Sequence, residues 1–238
     1  MRWIYLSPHL DDIALSLGGL LWQQAQAGEH LSVWTICAGD PPEGKVSAFA
    51  QSLHQRWSVG REASAARRKE DIASCQIMGA DYRHFAIPDC IYRRSPRTDE
   101  FLYASEEAIF GEVHEDEDTL ILQLAQEMQD ALPKDVKIIA PLGLGGHVDH
   151  RLTRAAAQRL DSSLGLYADY PYVLNMPAWG TGDLTPSSFS ISADALAMWQ
   201  SAVAAHTSQI STFWKNLDDM RTALQMYAQQ QGGVNLWN

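Results

Sequence analysis

Short uninterrupted apolar runs recur along this chain, and segments of helical period separate them. RWIYL (2–6), HLSVWTI (30–36), YRHFAI (82–87), VKIIAPL (136–142) and GLYADY (165–170) read as strands. IALSLGGLLWQQAQAG (13–28), GREASAARRKEDIASCQIMGA (60–80), DTLILQLAQEMQDAL (118–132), HRLTRAAAQRL (150–160) and SADALAMWQSAVAAHTSQI (192–210) read as helices. Their apolar residues fall at helical spacing, and glycine or serine marks several ends. Strands that are apolar throughout are buried on both faces, which is the condition of a parallel sheet covered by helices. The expected fold is therefore α/β, a mostly parallel sheet with helices on both faces, in a single domain over residues 1–238. In such folds ligands bind beyond the carboxyl ends of the strands.

Two polar clusters follow strands directly. SPHLDD (7–12) follows the first, and PLGLGGHVDHR (141–151) contains the end of the fourth. Burying carboxylates there is costly unless something compensates. Alone, each cluster has an ordinary explanation. Asp11 or Asp12 can cap the following helix, and H-V-D-H can lie on the surface. Together, both at strand ends, they suggest a shared metal site if the two loops are neighbours. His9, Asp12 and His150 would supply two imidazoles and one carboxylate and leave a position open, the pattern of catalytic zinc. His9 and Asp12 are three residues apart, so one helical turn can aim both at one ion. Asp11, between them, points elsewhere and can stay unligated.

The rest of the sequence narrows the function. The net charge of −11 and a pI near 5.1 argue against a general nucleic-acid binder. No apolar run reaches the ~20 residues that span a bilayer. The start, MRWIYLSPHLDD, shows no secretory apolar region, so a cytoplasmic protein is expected. Cys37, Cys75 and Cys90 are widely spaced with no C-x-x-C, which suits buried small hydrophobes better than zinc or disulfides.

The two clusters resemble those of the PIG-L (LmbE-like) zinc-dependent de-N-acetylase family, which pairs His-x-Asp-Asp with a distant His-x-Asp-His. T-I-C-A-G-D, R-R-K-E, I-P-D and H-T-S-Q are weaker matches along the chain. The resemblance implies a Rossmann-like fold and removal of an acyl group from an amino sugar or related amide. It implies that His9, Asp12 and His150 hold Zn2+, with Fe2+ also acceptable to these ligands. It makes Asp11 the general base and His147 the group that stabilises the tetrahedral intermediate. It makes Asp149 the acid that orients and charges His147, and it places Arg67 and Asp89 against the sugar. Leu10 and Val148 stand where many members have proline. Ile13 replaces a frequent glutamate and is expected to make the pocket edge more apolar.

Other features take plainer readings. GLGG (143–146) lacks the Walker lysine and no G-x-G-x-x-G occurs, so it is read as a tight turn carrying His147. Gly18 and Gly19 suggest close packing. HEDED (114–118) suggests a solvated helix start. His30, His54, His84 and His114 have no ligand spacing, and His206 suits packing at least as well as substrate contact. Arg67, Arg68 and Lys69 form a helix face from which one residue could enter the crevice. Trp57 and Trp179 fall in predicted loops. The expected function is N-deacetylation of an amino-sugar-containing small molecule or glycoconjugate, with no nucleic-acid partner, no membrane span and a homo-oligomer possible. Its rivals are an amidase acting on a larger acyl or thiol-conjugate amide, decided by the loops at 41–58 and 88–117, and a non-catalytic module that keeps the metal. A nucleotide-binding protein is disfavoured by the missing glycine fingerprint.

Overall fold

A computed structural model describes residues 1–56, 63–175, 184–230 and 232–237; Trp57, Trp179 and the first residues of the helix expected at 60–80 lie outside them. β1 (Arg2–Ser7), α1 (Asp12–Gln26), β2 (His30–Thr35), α2 (Ala48–Arg56), α3 (Ala63–Met78) and β3 (Asp81–His84) form the first half. α4 (Glu106–Ile109), α5 (Asp118–Ala131), β4 (Val136–Pro141), α6 (Val148–Ala157) and β5 (Leu164–Tyr167) follow. β6 (Pro186–Phe189), α7 (Ala193–Ala204), α8 (Ile210–Phe213), α9 (Leu217–Gln230) and β7 (Val234–Trp237) complete the chain.

The sheet order is β3-β2-β1-β4-β5-β7-β6. The five strands expected from the sequence pair in parallel, and β7 joins β5 and β6 antiparallel. The helix expected to run to residue 210 stops at Ala204, and α8 resumes at Ile210. Among the described residues no helix is long and apolar enough to cross a membrane.

Residues within one strand divide between the two faces, as the pleat requires. Tyr5 joins Ile13, Leu17 and Leu21 of α1, Trp199 of α7 and Leu224 of α9 in one core. Ile4 and Leu6 join Leu124 and Met128 of α5 and Leu152 of α6 in the other. Gly18 lets α1 and α7 approach closely, because a Cβ there would stand 2.6 Å from Trp199 Cδ1. Ile13, expected at the pocket edge, is 1% exposed inside the first core. At a helix start one residue's rotation turns a side chain from crevice to core, and spacing alone did not resolve that.

A third, smaller core lies apart from the sheet. Leu53 of α2, Ile91, Tyr92 and Tyr103 from the chain after β3, Ile109 of α4 and Val148 make it. It organises the segments that the sequence leaves irregular.

Candidate active site

β1 and β4 are neighbours, and the chain proceeds outward from them in opposite directions, to β2 and β3 on one side and β5 on the other. That reversal opens a crevice at their carboxyl ends. Both polar clusters sit there. Ser7 Oγ donates to the His9 carbonyl (2.6 Å) and accepts from the Ile13 N–H (3.3 Å), and Asp12 Oδ2 accepts from the His9 N–H (2.7 Å). Asp11 occupies the N-cap position of α1, yet its side chain makes no capping bond. Its carboxylate is left for the crevice.

His9 Nδ1 lies 3.2 Å from Asp12 Oδ2, and His150 Nε2 lies 3.4 Å from the same oxygen. Ligand bonds of ~2.0–2.1 Å in tetrahedral geometry place neighbouring donors ~3.3 Å apart. His150 is 1% exposed and its Nε2 makes no hydrogen bond. A buried nitrogen left in this state suits a cation ligand. The donor set therefore fits zinc, and equally ferrous iron.

Each imidazole is fixed from behind. His150 Nδ1 is 2.6 Å from Asp169 Oδ1, and Asp169 Oδ2 accepts from the Leu144 N–H at 2.9 Å. His9 Nε2 is 3.0 Å from Asp149 Oδ2. Carboxylates behind metal-binding histidines set the ring orientation and tautomer. Asp149 also accepts from the Cys90 N–H and the Arg93 guanidinium, and Arg93 in turn pairs with Glu117. Burial works against charge on His9 and His150, but Asp12 with Asp149, and Asp12 with Asp169, raise the two rings. Burial works equally against Asp12, and the His150 and His9 rings hold it low.

Asp149 thus supports a different histidine from the one expected. Its carboxylate reaches His9, and only its backbone N–H meets His147, donating to Nδ1 at 3.2 Å. The surroundings of His147 work against the charge expected on it. Burial, then the His9 ring, lowers it from 6.5 to about 3, and the attraction of Asp149 does not reverse this. Because Nδ1 accepts a hydrogen bond, the neutral ring carries its proton on Nε2. The ring nitrogens of His9, His147 and His150 come within 4.8 Å of one another.

Burial raises the Asp11 carboxyl, opposed first by Arg67, whose Nη2 stands 3.4 Å from Asp11 Oδ1. Arg67 is the one residue of its basic triplet that enters the crevice; Arg68 turns to the Ala38 carbonyl and Asp40. Asp89 borders the cavity and caps the short turn after it through the Ile91 N–H. GLGG forms the expected tight turn, with Gly143, Gly145 and Gly146 at positive φ. His54 and His84 pair with Tyr92 and Asp71, and His114 accepts from the Asp116 N–H. His206 is buried behind the cavity lining, close enough to Asp11 and Arg67 for their charges to act on it. The three cysteines are buried and free.

The sequence reading missed Asp169, Arg93 and Glu117. Asp169 falls inside the segment expected as strand, 165–170, whereas β5 ends at Tyr167 and leaves it just past the strand end. Arg93 had no signal, and Glu117, expected in a solvated helix start at 114–118, is instead buried and paired with Arg93, because that pairing depends on the path of an irregular segment.

A family model described as PIG-L: GlcNAc-PI de-N-acetylase matches residues 4–160. The chain is 30% identical over 177 residues to the 2'-N-acetylparomamine deacetylase of Streptomyces fradiae, covering 72% of this chain and 57% of that one. It is 27% identical over 186 residues to the protein of the same name from Niallia circulans, covering 71% and 66%. The matches thus span less than two thirds of either relative. A crystal structure of the zinc-inhibited form of teicoplanin deacetylase superposes with a TM-score of 0.84 at 26% identity, over 100% of this chain and 97% of the other. The chain belongs to the PIG-L family.

Proposed function

We propose that this protein is a metal-dependent N-deacetylase that hydrolyses the acetamide of an amino-sugar-containing small molecule or glycoconjugate. The observation that carries it is the convergence of His9 Nδ1 and His150 Nε2 on Asp12 Oδ2, with the unligated Asp11 beside them. The named activities of the similar proteins point the same way. The proposal takes zinc as the metal, an N-acetylglucosamine-type unit as the acetylated sugar and the cytoplasm as the location.

When bound, the cation supplies Lewis acidity toward the amide carbonyl and toward water. Asp11, raised by burial, takes a proton from the water that attacks the carbonyl carbon. His147 donates Nε2–H to the oxygen that becomes negative, as a neutral donor already in place. The C–N bond then breaks, and Asp11 returns its proton to the departing nitrogen. The products are acetate and the free amine. Arg67 and Asp89 offer a donor and an acceptor to sugar hydroxyls, while Arg67 holds Asp11 in line.

The test is acetate release from a panel of N-acetylated sugars, measured before chelation, after it and after zinc is restored. Metal-dependent release is expected, and His150→Ala should lower metal occupancy sharply. Metal-loaded protein that releases no acetate from any of them would overturn the activity, and unchanged occupancy in His150→Ala would overturn the ligand assignment.

A further inference from the structure

The cavity over the ligand cluster, about 190 Å³, has two unlike halves. Its inner part is polar and buried: Asp11, Asp12 and His147 are 5%, 6% and 7% exposed. Its other wall does not come from the sheet. Phe49 and Leu53 of α2, Ile91, and Ile109 with Phe110 at the end of α4 supply it, and Phe213 of α8 adds a further ring. Phe49, Leu53, Ile91 and Ile109 extend the third core into the cavity, and Phe213 reaches it from the edge of the first core.

Phe110 is the residue that folding does not account for. It is 39% exposed, yet its ring stands edge-on to His147 at 5.4 Å and to Tyr172 at 6.0 Å between centroids. A single exposed aromatic on an open surface needs no explanation. An aromatic that borders a reacting group inside a concave site, with further apolar side chains around it, marks a place where a ligand covers it.

We propose that this wall is a subsite for an aromatic group carried by the amino-sugar substrate, on the side of the sugar away from the acetyl group. The proposal rests on the N-deacetylase reading above. The acetyl methyl needs little room, and the buried end offers little, being bordered by Leu15 and Tyr170, each 2% exposed. The larger half of the amide therefore lies toward the exposed side, where Phe49, Phe110 and Phe213 keep part of their surface open. Rings favour offset and edge-to-face neighbours, so a wall rich in phenylalanine selects an aromatic group over a hydroxylated one.

The experiment compares kcat/KM for N-acetylglucosamine, its phenyl glycoside and N-octanoylglucosamine. The phenyl glycoside is expected to exceed the free sugar by more than about tenfold, chiefly through KM. Phe110→Ala should bring that ratio close to one, and Phe110→Leu should restore part of it; melting temperatures check that both variants fold. A ratio near one in the wild type overturns the proposal, as does a ratio unmoved by Phe110→Ala. Preference for the octanoyl amide over the phenyl glycoside also overturns it, since the wall would then serve the acyl group. Calorimetric binding of the phenyl glycoside separates the two levels. Binding that weakens in Phe110→Ala, with no acetate released, keeps the subsite and overturns the deacetylase reading. Acetate release without phenyl preference does the reverse.

Discussion

The strand-end loops at 7–12 and 141–150 and the excursions at 41–56 and 88–117 meet over one cavity, but they are built by different means. The loops are placed by β1 and β4, whose pairing is fixed by two large cores. They carry the residues proposed as metal ligands and as the base. The excursions are placed by a small core of their own and by the Arg93–Glu117 pair. They carry apolar surface. Chemistry that needs sub-ångström placement sits on the rigid sheet edge, and surface that chooses a substrate sits on segments that can vary without disturbing the sheet. Asp149 joins the two, with one oxygen near His9 and the other on Arg93.

The largest test of this division is Asp11→Asn. Asparagine is nearly isosteric but takes no proton at neutral pH. Turnover should fall by about 10²–10⁴-fold, and by the same factor for every substrate, because the strand-end loop sets the reaction and not the preference. Metal content should be unchanged. Steady-state kinetics on two substrates with metal analysis check this. A loss that differs between substrates would mean that the two regions are not separable.

How much of each region could be read from the sequence follows from the same difference. His9, Asp12 and His150 were legible as strand-end residues because a buried parallel strand fixes where its end falls; that they meet follows from the pairing of β1 with β4, which the sequence left open. Asp169 lies just past β5, which ends at Tyr167, but the apolar run read as strand over 165–170 enclosed it. Phe49, Ile91, Phe110, Arg93 and Glu117 follow no periodicity, and their meeting depends on long-range pairing within irregular chain. The C-terminal part was under-read for another reason. Leu217, Met220, Leu224 and Tyr227 have the spacing of α9, but the four-residue strands β6 and β7 are too short to show a pattern.

His147 sharpens the comparison next, since it belongs to a strand-end loop and touches Phe110 of the excursion. Burial and the neighbouring His9 ring push its pKa down to about 3, which favours the neutral ring. His147→Gln should lower turnover by about 10²–10³-fold, the usual cost of one oxyanion donor, and leave both limbs of the pH–rate profile where they were. A basic limb that disappears in the variant would show a charged His147 in the working enzyme. Stability gives an independent reading. The folded value lies below the unfolded one of about 6.5, so the unfolded chain binds more protons between pH 6.5 and 3. The wild type therefore loses stability through that window as pH falls, relative to the glutamine variant. Melting temperatures of both proteins from pH 7 to pH 4 should show the wild type's advantage shrinking.

The smallest expected effect distinguishes the two carboxylates behind the ligands. Asp169 ties His150 to the Leu144 N–H and so stays within the strand-end frame. Asp169→Asn should weaken metal binding by about 10–100-fold, because the amide orients the imidazole without raising its basicity. Substrate preference should not move, since the hydrogen bonds of Asp169 among the described residues go to Leu144 and His150 and not to the excursion. Asp149→Asn should weaken metal binding through His9 by a similar factor, but it also strips a charge partner from buried Arg93. Removing one member of a buried pair costs about 3–5 kcal/mol, and Glu117, still beside Arg93, keeps the cost at the lower end. That strain falls on the segment carrying Ile91 and Phe110, so the phenyl-to-free-sugar ratio should fall in Asp149→Asn and hold in Asp169→Asn. Chelator competition gives the affinities, and the two kcat/KM values give the ratio. Equal shifts of the ratio in both variants would show that the excursion responds to the metal itself, and Asp149 would lose its place as the joint between the two regions.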